Sequence, residues 1–380
     1  MRILMALLTM LTISAPAHAR MWTVEKDGSG DYEIIQDAID ASADGDTILV
    51  GPGRYDTFRQ YTSTIDGFTG MTIAWVNKSI TLLGAGRDLS IIGPEEEVLQ
   101  IDGLNPGNMY LDGGGLATVK GFTFEKTLTY VGIRKPAVFE DNRVDGTDKD
   151  RFAGYGLFVG DASGVEIRDI EFLGPGGVFT ANFGVGAVTI ERCTFRAGEV
   201  PRFEARNAIA TSAQGLSVRD CTFEGVGVSI SNTFGGTALI EDCELSMTIG
   251  GVSVDIGSVV ARNLTIGPAE QNVRVAGASA SIELYDCELR GGSLWTIDAG
   301  GDVLARSCTI LNIGGLSVRG SVRTTLDIDL RYNYWGTTDV ELVRSWIDDP
   351  GGSLRFEPIL QGPVSAEPQS FGGFKSRFRN

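Results

Sequence analysis

Four charged residues on a regular spacing are the main candidates for chemistry in this sequence. Asp255, Arg274, Asp298 and Arg319 follow one another at intervals of 19, 24 and 21 residues. Two carboxyl groups about 6.5–9.5 Å apart can act as general acid and general base in an inverting glycosidase. An arginine between them could bind an acidic sugar or lower both carboxyl pKa values. The alternative interpretation is an ordinary cluster of ion pairs between neighbouring strands.

Composition narrows the possible chemistry further. The only histidine is His18, and it lies in a segment that we expect to be cleaved. Without an imidazole the mature chain cannot use a Ser-His or Cys-His nucleophile, and a zinc or copper centre is disfavoured. The net charge of −17 argues against nucleic acid as a partner and against an anionic membrane surface.

A recurring phrase indicates which elements must position these residues. It reads Val-Thr-Ile-Glu-Arg-Cys-Thr-Phe at 188–195 and Leu-Ser-Val-Arg-Asp-Cys-Thr-Phe at 216–223. Its sixth letter, here called the anchor, recurs every 20 to 28 residues, which is the period of a solenoid. The anchors are Phe122, Asn142, Ile170, Cys193, Cys221, Cys243, Leu264, Cys287, Cys308 and Asn333.

The polarity of the phrase predicts an all-β fold, a right-handed parallel β-helix with short capping helices at both ends. At the anchor, two residues after it, and three and five residues before it, 38 of 40 positions are apolar. This pattern predicts two short strands with alternate side chains inward and a bend between them. Only Asn142 and Asn333 break the rule. Stacked coils of this kind bury a continuous core.

The position two before the anchor offers an independent check on the stacking. From Lys120 to Arg262 it alternates in sign through seven successive coils. Equivalent positions in adjacent coils lie about 4.8 Å apart, so each charge would sit between two opposite ones. We therefore predict an outer ladder of ion pairs that fixes the order of the coils. The five cysteines all occupy anchors, and we predict buried thiols rather than disulfides.

The ends of the chain have their own signals. Met1–Ala19 has the charged start, apolar run and small-x-small end of a signal peptide. We predict an N-terminal cap at 20–46, with a helix N-capped by Asp31, and the solenoid at 47–336. A C-terminal cap at 337–362 would hold a helix started by the capping box Thr338–Glu341. Residues 363–380 form a polar tail that we expect to be flexible.

Each coil also contains a third strand, whose outward side chains are the candidate binding face. The inward positions would be Leu157, Val178, Ile209, Val228, Val252, Val273, Trp295 and Leu316. One outward column would hold Phe158, Phe179, Ala210, Ser229, Ser253, Arg274, Thr296 and Ser317, and the next Gly160, Ala181, Ser212, Ser231, Asp255, Ala276, Asp298 and Arg319.

On this face, Phe158 and Phe179 could form a platform for a sugar ring, with Ser231 as a further substrate-binding candidate. The alternative for the two phenylalanines is packing beneath the loop at 144–154. That loop is acidic, and Asp145, Asp148 and Asp150 could bind calcium, because hard cations need several oxygen ligands. The alternative for the loop is a solvated acidic segment with no cofactor.

Two segments resemble a known superfamily. The stretch from Asp27 to Asp40, Asp-Gly-Ser-Gly-Asp-Tyr-Glu-Ile-Ile-Gln-Asp-Ala-Ile-Asp, resembles the opening of pectin-lyase-like right-handed β-helix proteins, notably pectin methylesterases. Asn333–Thr337 and Phe356–Leu360 resemble the closing segment of secreted bacterial members. The resemblance implies a β-helix over roughly residues 22–362 and a saccharide groove on the third sheet. Catalytic motifs of the esterases, polygalacturonases and pectate lyases are missing, so no catalytic residue transfers.

Two functional hypotheses follow. The first is a secreted or periplasmic protein that binds or cleaves a polysaccharide or cell-surface glycan through the outward face. The second is a non-catalytic structural or adhesive module, in which the solenoid is a rigid rod. Under either hypothesis we expect a monomer without a transmembrane segment.

Overall fold

Three stacked sheets form the body of the protein. The computed structural model describes residues 19–363, except for 64–66, 99, 128, 147–155, 161, 175–176, 182–184, 198–206, 212–213, 226–227, 233–235, 247–249, 313–316 and 321–325. Within these residues every pairing between coils is parallel, and the sheets contain 14, 11 and 13 strands. Crossovers between parallel strands are right-handed in nearly all proteins. The predicted right-handed parallel β-helix is confirmed.

From Thr47 to Arg319, each coil passes through sheets 1, 2 and 3 in that order. Sheet 1 contains Met21–Val24, Thr47–Val50, Thr81–Gly84, Ala117–Lys120, Ala137–Glu140, Val165–Arg168, Val185–Glu191, Gln214–Arg219, Thr237–Glu241, Gly257–Arg262, Ala280–Tyr285, Asp302–Arg306, Ile328–Asp329 and Leu354–Arg355. Sheet 2 contains Gly53–Tyr55, Ser90–Ile92, Thr123–Glu125, Arg143–Asp145, Glu171–Leu173, Thr194–Arg196, Thr222–Glu224, Glu244–Ser246, Thr265–Ile266, Glu288–Arg290 and Thr309–Leu311.

Sheet 3 is the candidate binding face and differs at its first edge. It contains Arg59–Thr62, Thr69–Val76, Pro106–Leu111, Thr129–Ile133, Leu157–Gly160, Val178–Ala181, Ile209–Thr211, Val228–Asn232, Gly250–Val254, Ala269–Val275, Gly292–Ala299, Val318–Arg319 and Ile347–Asp348. Its first two strands pair antiparallel and form a hairpin, while all its other pairs are parallel.

The repeat is confirmed residue by residue in sheets 1 and 2. Phe172 pairs with Phe195, which pairs with Phe223, and the rings stack at 4.5 and 4.7 Å between centroids. All five anchor cysteines are buried free thiols. The two polar anchors are explained by hydrogen bonds to the neighbouring coil. Asn142 Oδ1 accepts the backbone N–H of Phe122 at 2.9 Å, and Asn333 Oδ1 accepts that of Cys308 at 2.8 Å.

The bend between sheets 1 and 2 has one recurring backbone conformation. The residue before the anchor has a positive φ in every repeat, between 51 and 62° wherever it is not glycine. These residues are Asp141, Asp169, Arg192, Asp220, Asp242, Asn263, Asp286, Ser307 and Tyr332. Asp and Asn tolerate this left-handed region better than most residues. The frequent Asp and Asn at this position are therefore explained by the left-handed backbone conformation.

The outer charge ladder forms in part. Glu140 accepts from Lys120 and Arg168 in the two flanking coils, each at 2.9 Å. Glu241 pairs in the same way with Arg219 at 3.0 Å and Arg262 at 3.1 Å. Glu191 instead pairs with the adjacent Arg192 at 2.7 Å. These side chains are partly exposed, so the pairs contribute to register more than to stability.

A helix lies at each end. Ile35–Ala41 begins at Ile34 without a side-chain cap, because Asp31 accepts hydrogen bonds from Thr23 instead. The prediction that Asp31 caps this helix was wrong. Lys78 Nζ donates to three carbonyl oxygens at the end of the helix, at 2.7 to 2.8 Å. Such a contact satisfies carbonyls that have no partner within the helix.

The second helix is Val340–Ser345. Its N-cap is Asp339, one residue after the predicted Thr338. Its Val343 is fully buried against the core. In the described part of the chain, no helix is long and apolar enough to cross a membrane. Residues 1–18 of the predicted signal peptide and 364–380 of the predicted tail lie outside the described residues.

Candidate functional site

Strand pairing aligns one row of outward positions along sheet 3, and we call it the outward row. It consists of Trp75, Tyr110, Gly132, Phe158, Phe179, Ala210, Ser231, Ser253, Arg274, Asp298 and Arg319. Adjacent strands are about 4.8 Å apart, so the row extends for about 48 Å. The candidate residues from both predicted columns therefore belong largely to one line.

The predicted register was wrong by two residues in several coils. Ile209 pairs with Ile230 rather than Val228, and Val273 pairs with Ile297 rather than Trp295. A shift of two residues leaves each side chain on its own face, so alternation of polarity cannot detect it. As a result Ser231 and Asp298 move into the row of Ser253 and Arg274. Trp295 is half-buried on the outside instead of lying in the core.

The four charged candidates lie in one connected patch at the C-terminal half of the row. Arg274 Nη1 donates to Asp255 Oδ1 at 3.0 Å and lies within 3.4 Å of Ser253 Oγ. Asp298 is paired with Arg274 through the backbone, and its side chain lies 4.0 Å from Arg319 Nε. Both guanidinium groups are well exposed, at 44% and 54% of their side-chain area.

Two neighbours of this patch were not identified from the sequence. Gln271 Nε2 donates to Asp298 Oδ2 at 3.2 Å. The Arg319 guanidinium carbon lies 5.8 Å from the centre of the Trp295 ring, within the range of a cation–π contact. The two-residue shift had placed Trp295 in the core, which is why the sequence did not suggest it.

Asp255 lies outside the outward row. It follows Val254, which is aligned with Val275 and Ala299, so it lies two residues beyond Ser253 of the row. Its backbone is two coils and two residues away from that of Asp298, a separation of about 11–12 Å. The patch offers exposed guanidinium donors and carboxylate acceptors to a polar ligand. A paired acid and base at these aspartates stays a prediction.

Aromatic side chains occupy the other half of the row. The rings of Phe158 and Phe179 are 5.6 Å apart and inclined by 35°, and both are half-buried. Tyr110 lies over Gly132, where an added Cβ would come within 2.6 Å of its ring. Ser231 takes its place in the row by backbone pairing. Between the two halves the described side chains, Ala210 and Ser253, are small.

Sequence reasoning missed the beginning of this aromatic run. Trp75 pairs with Tyr110 in the next coil, and both precede Phe158 in the outward row. A usable signal was present, because Ala74-Trp75-Val76, Met109-Tyr110-Leu111 and Leu157-Phe158-Val159 share an aromatic residue between two apolar ones. The intervals between these three segments are longer than the 20 to 28 residues of the repeat, so the sequence did not align them.

Only one of the three predicted calcium ligands is among the described residues. Asp145 ends a strand of sheet 2, whereas Asp148 and Asp150 lie outside the described residues. Within the described ranges, no group of three or more His, Cys, Asp or Glu side chains is arranged to hold a metal ion. Calcium binding at this loop therefore stays a prediction.

Comparisons with known proteins give only distant likenesses. No family model matches the sequence, and no curated protein matches it. An alginate lyase from a Paenibacillus species is 12% identical, covers 76% of this chain and 99% of its own, and has a TM-score of 0.43. Pectin methylesterase from carrot is also 12% identical and covers 90% of this chain and 86% of its own, with a TM-score of 0.36.

A third likeness is the A-module of a mannuronan C-5 epimerase from Azotobacter vinelandii. It is 12% identical, covers 87% of this chain and 93% of its own, and has a TM-score of 0.21. The fold of the present chain is established by its own strand pairing, and its function must be inferred from its own residues.

Proposed function

We propose that this protein binds a polysaccharide along the outward row of sheet 3. The observation that carries the proposal is the row itself, which joins an aromatic half to a charged half in one register. Aromatic rings suit the apolar faces of sugar rings, and guanidinium and carboxylate groups suit hydroxyl or carboxylate substituents. A row of about 48 Å matches an extended polymer better than a small ligand.

The geometry of the charged half favours binding of a polysaccharide over its cleavage. Arg274 and Arg319 are exposed and each lies beside a carboxylate, so each can exchange that partner for a ligand group. Cleavage by Asp255 and Asp298 remains our proposal for any catalytic activity. It requires a bound sugar bond between two carboxyl groups whose backbones are about 11–12 Å apart.

A glycan screen with a matched variant tests the proposal. The mature protein is applied to a panel of neutral and acidic oligosaccharides, with and without calcium, and reducing ends are measured in parallel. We expect at least one glycan to bind, and Arg274→Ala to weaken its binding about tenfold or more, since a charge-assisted contact is lost. Arg262→Ala, an exposed arginine of sheet 1, is the control and should leave binding unchanged.

The outcomes separate the candidate functions. Binding that Arg274→Ala weakens, together with turnover that Asp255→Ala or Asp298→Ala abolishes, would support a hydrolase or lyase. Binding without turnover would support a carbohydrate-binding module. If no glycan binds, the proposal is wrong and the structural or adhesive module is preferred.

We also infer that the protein is exported to the periplasm or the medium. The inference rests on the signal-like segment Met1–Ala19. Expression with this segment in a bacterial host, followed by mass measurement of the exported chain, should show an N-terminus near Arg20. An intact chain that stays in the cytoplasm would contradict the inference.

A further inference from the structure

The aromatic half of the outward row ends beneath the hairpin strand Arg59–Thr62. Tyr61 from this strand packs on the row, with ring centres 4.7 Å from Tyr110 and 5.9 Å from Trp75. The residue is only 5% exposed. A side chain from outside the solenoid thus occupies the surface that the row would offer to a ligand at this end.

Polar groups around this contact lack partners. Asp112 is 2% exposed, and while its Oδ1 accepts the N–H of Gly113 at 2.7 Å, its Oδ2 has no hydrogen-bond partner. The indole Nε1 of Trp75 is also buried without a partner. Buried polar groups are nearly always paired, so an unpaired donor and an unpaired acceptor beside one aromatic cluster require an explanation.

The same groups lie close to Tyr61. The pKa of the Tyr61 hydroxyl is raised well above its usual range, first by burial and then by the neighbouring Tyr110 hydroxyl and Asp112 carboxylate. Asp112 follows Leu111, the last residue of the Tyr110 strand. The Tyr61 ring, the Tyr110 and Trp75 rings beneath it, and the two unpaired atoms therefore lie at the same end of the row.

We propose that Tyr61 occupies a sugar subsite, and that a neutral pyranose ring displaces it to stack on Tyr110 and Trp75. The inference rests on the proposed function and specifies the ligand class at this end. Sugar hydroxyls would donate to Asp112 Oδ2 and accept from Trp75 Nε1. A neutral sugar suits these two atoms, because one hydroxyl can donate to the unpaired acceptor and another can accept from the unpaired donor.

The position of the hairpin strand makes this exchange possible. Arg59–Thr62 is the edge strand of sheet 3 and pairs only with Thr69–Val76. Its departure would leave every parallel pairing between coils intact. The covering strand can therefore open while the solenoid stays folded.

A reversible lock on the hairpin tests the proposal. Thr62 and Thr69 face each other across the hairpin, with their Oγ1 atoms 3.1 Å apart. The double variant Thr62→Cys, Thr69→Cys should form a disulfide that holds Tyr61 in place. Binding of cellohexaose to the full mature chain is measured by calorimetry before and after reduction. We expect the oxidised form to bind at least about tenfold more weakly than the reduced form.

Further variants keep the result interpretable. Thr62→Cys alone should not respond to reductant. Tyr61→Ala should bind cellohexaose more tightly than wild type, Tyr61→Phe should bind like wild type, and Tyr110→Ala should bind more weakly. Tyr285→Ala, which removes a partly exposed tyrosine of sheet 1, is the matched control and should leave binding unchanged.

The outcomes distinguish this inference from the function on which it rests. Equal binding by the oxidised and reduced forms, with no gain in Tyr61→Ala, would overturn the subsite. Binding of hexagalacturonate alone, sensitive to Arg274→Ala, would overturn the neutral subsite and keep the proposed function. Binding of neither probe by the wild-type protein, with no other glycan bound in the screen, would overturn both.

Discussion

At the scale of single residues, the polar exceptions in the core are structural. Asn142 is fully buried, accepts the N–H of Phe122 and donates to the carbonyl of Val119 at 3.0 Å. It thereby joins neighbouring coils through groups that an apolar anchor would leave unpaired. At a cysteine anchor the equivalent hydrogen bond is weaker. The Cys193 N–H donates to Cys221 Sγ at 3.4 Å, and sulfur is a poor acceptor.

Replacing Asn142 should therefore cost more than replacing an apolar anchor. We expect Asn142→Val to lower the free energy of unfolding by about 2–4 kcal/mol, because two buried backbone groups lose their partners. Ile170→Val, at the anchor of the next coil, should cost only about 1 kcal/mol. Urea unfolding of both variants provides the measurement, and equal losses would contradict the assigned role.

A second residue-scale prediction concerns Asp329. Burial would raise the pKa of this carboxyl, but hydrogen bonds from Arg331 and Arg306 outweigh it and hold the pKa far below its usual range. Since the folded pKa is depressed, the stabilisation is present above the unfolded pKa of about 4 and is lost as pH falls below it.

Asp329→Asn should accordingly be destabilised by about 2–3 kcal/mol at pH 7. The difference between wild type and variant should shrink as the pH is lowered from 5 to 2. Denaturant midpoints at several pH values measure it. A difference that does not vary with pH would show that the charge of Asp329 is unimportant.

At the scale of elements, the bend between sheets 1 and 2 is the conserved geometric unit of each coil within this chain. Its residue before the anchor is left-handed from Asp141 to Tyr332. The sequence predicted a bend there, because two successive residues had to point outward. It did not predict the left-handed backbone, although the frequent Asp and Asn at this position are its signature.

The bend can be tested at Asp220, an exposed residue with φ of 52°. Asp220→Gly should be neutral or slightly stabilising, whereas Asp220→Val should cost about 1–2 kcal/mol, since a β-branched side chain fits the left-handed region poorly. Thr222→Val, an exposed strand position in the same coil, should change stability by less than about 0.5 kcal/mol. Thermal unfolding of the three variants gives the comparison.

Sequence predicted sheets 1 and 2 in register but not sheet 3, for a physical reason. In the first two sheets the anchor and its bend fix the phase of every coil. Sheet 3 has no such marker, and apolar residues two apart in the sequence, such as Val228 and Ile230, allow a shift of two residues without a change of face. The sequence therefore identified the candidate residues but did not predict which of them are aligned in neighbouring coils.

At the scale of the whole molecule, the solenoid turns a local repeat into one long row of outward positions. One position per coil is enough to build a row from Trp75 to Arg319, with its aromatic and charged halves at opposite ends. The outer pairs of Glu140 and Glu241 and the inner stack of phenylalanines hold the coils in register. A rigid body of this kind preserves the spacing that a polymer ligand requires.

Footprinting the bound complex tests the central claim most directly. The mature protein is exposed to hydroxyl radicals with and without a bound glycan, and oxidation of aromatic side chains is quantified by peptide mass spectrometry. We predict protection of Phe158, Phe179 and Trp295 and none of Tyr285 on sheet 1. Protection confined to sheet 1, or no protection with a glycan bound, would contradict a binding face on sheet 3.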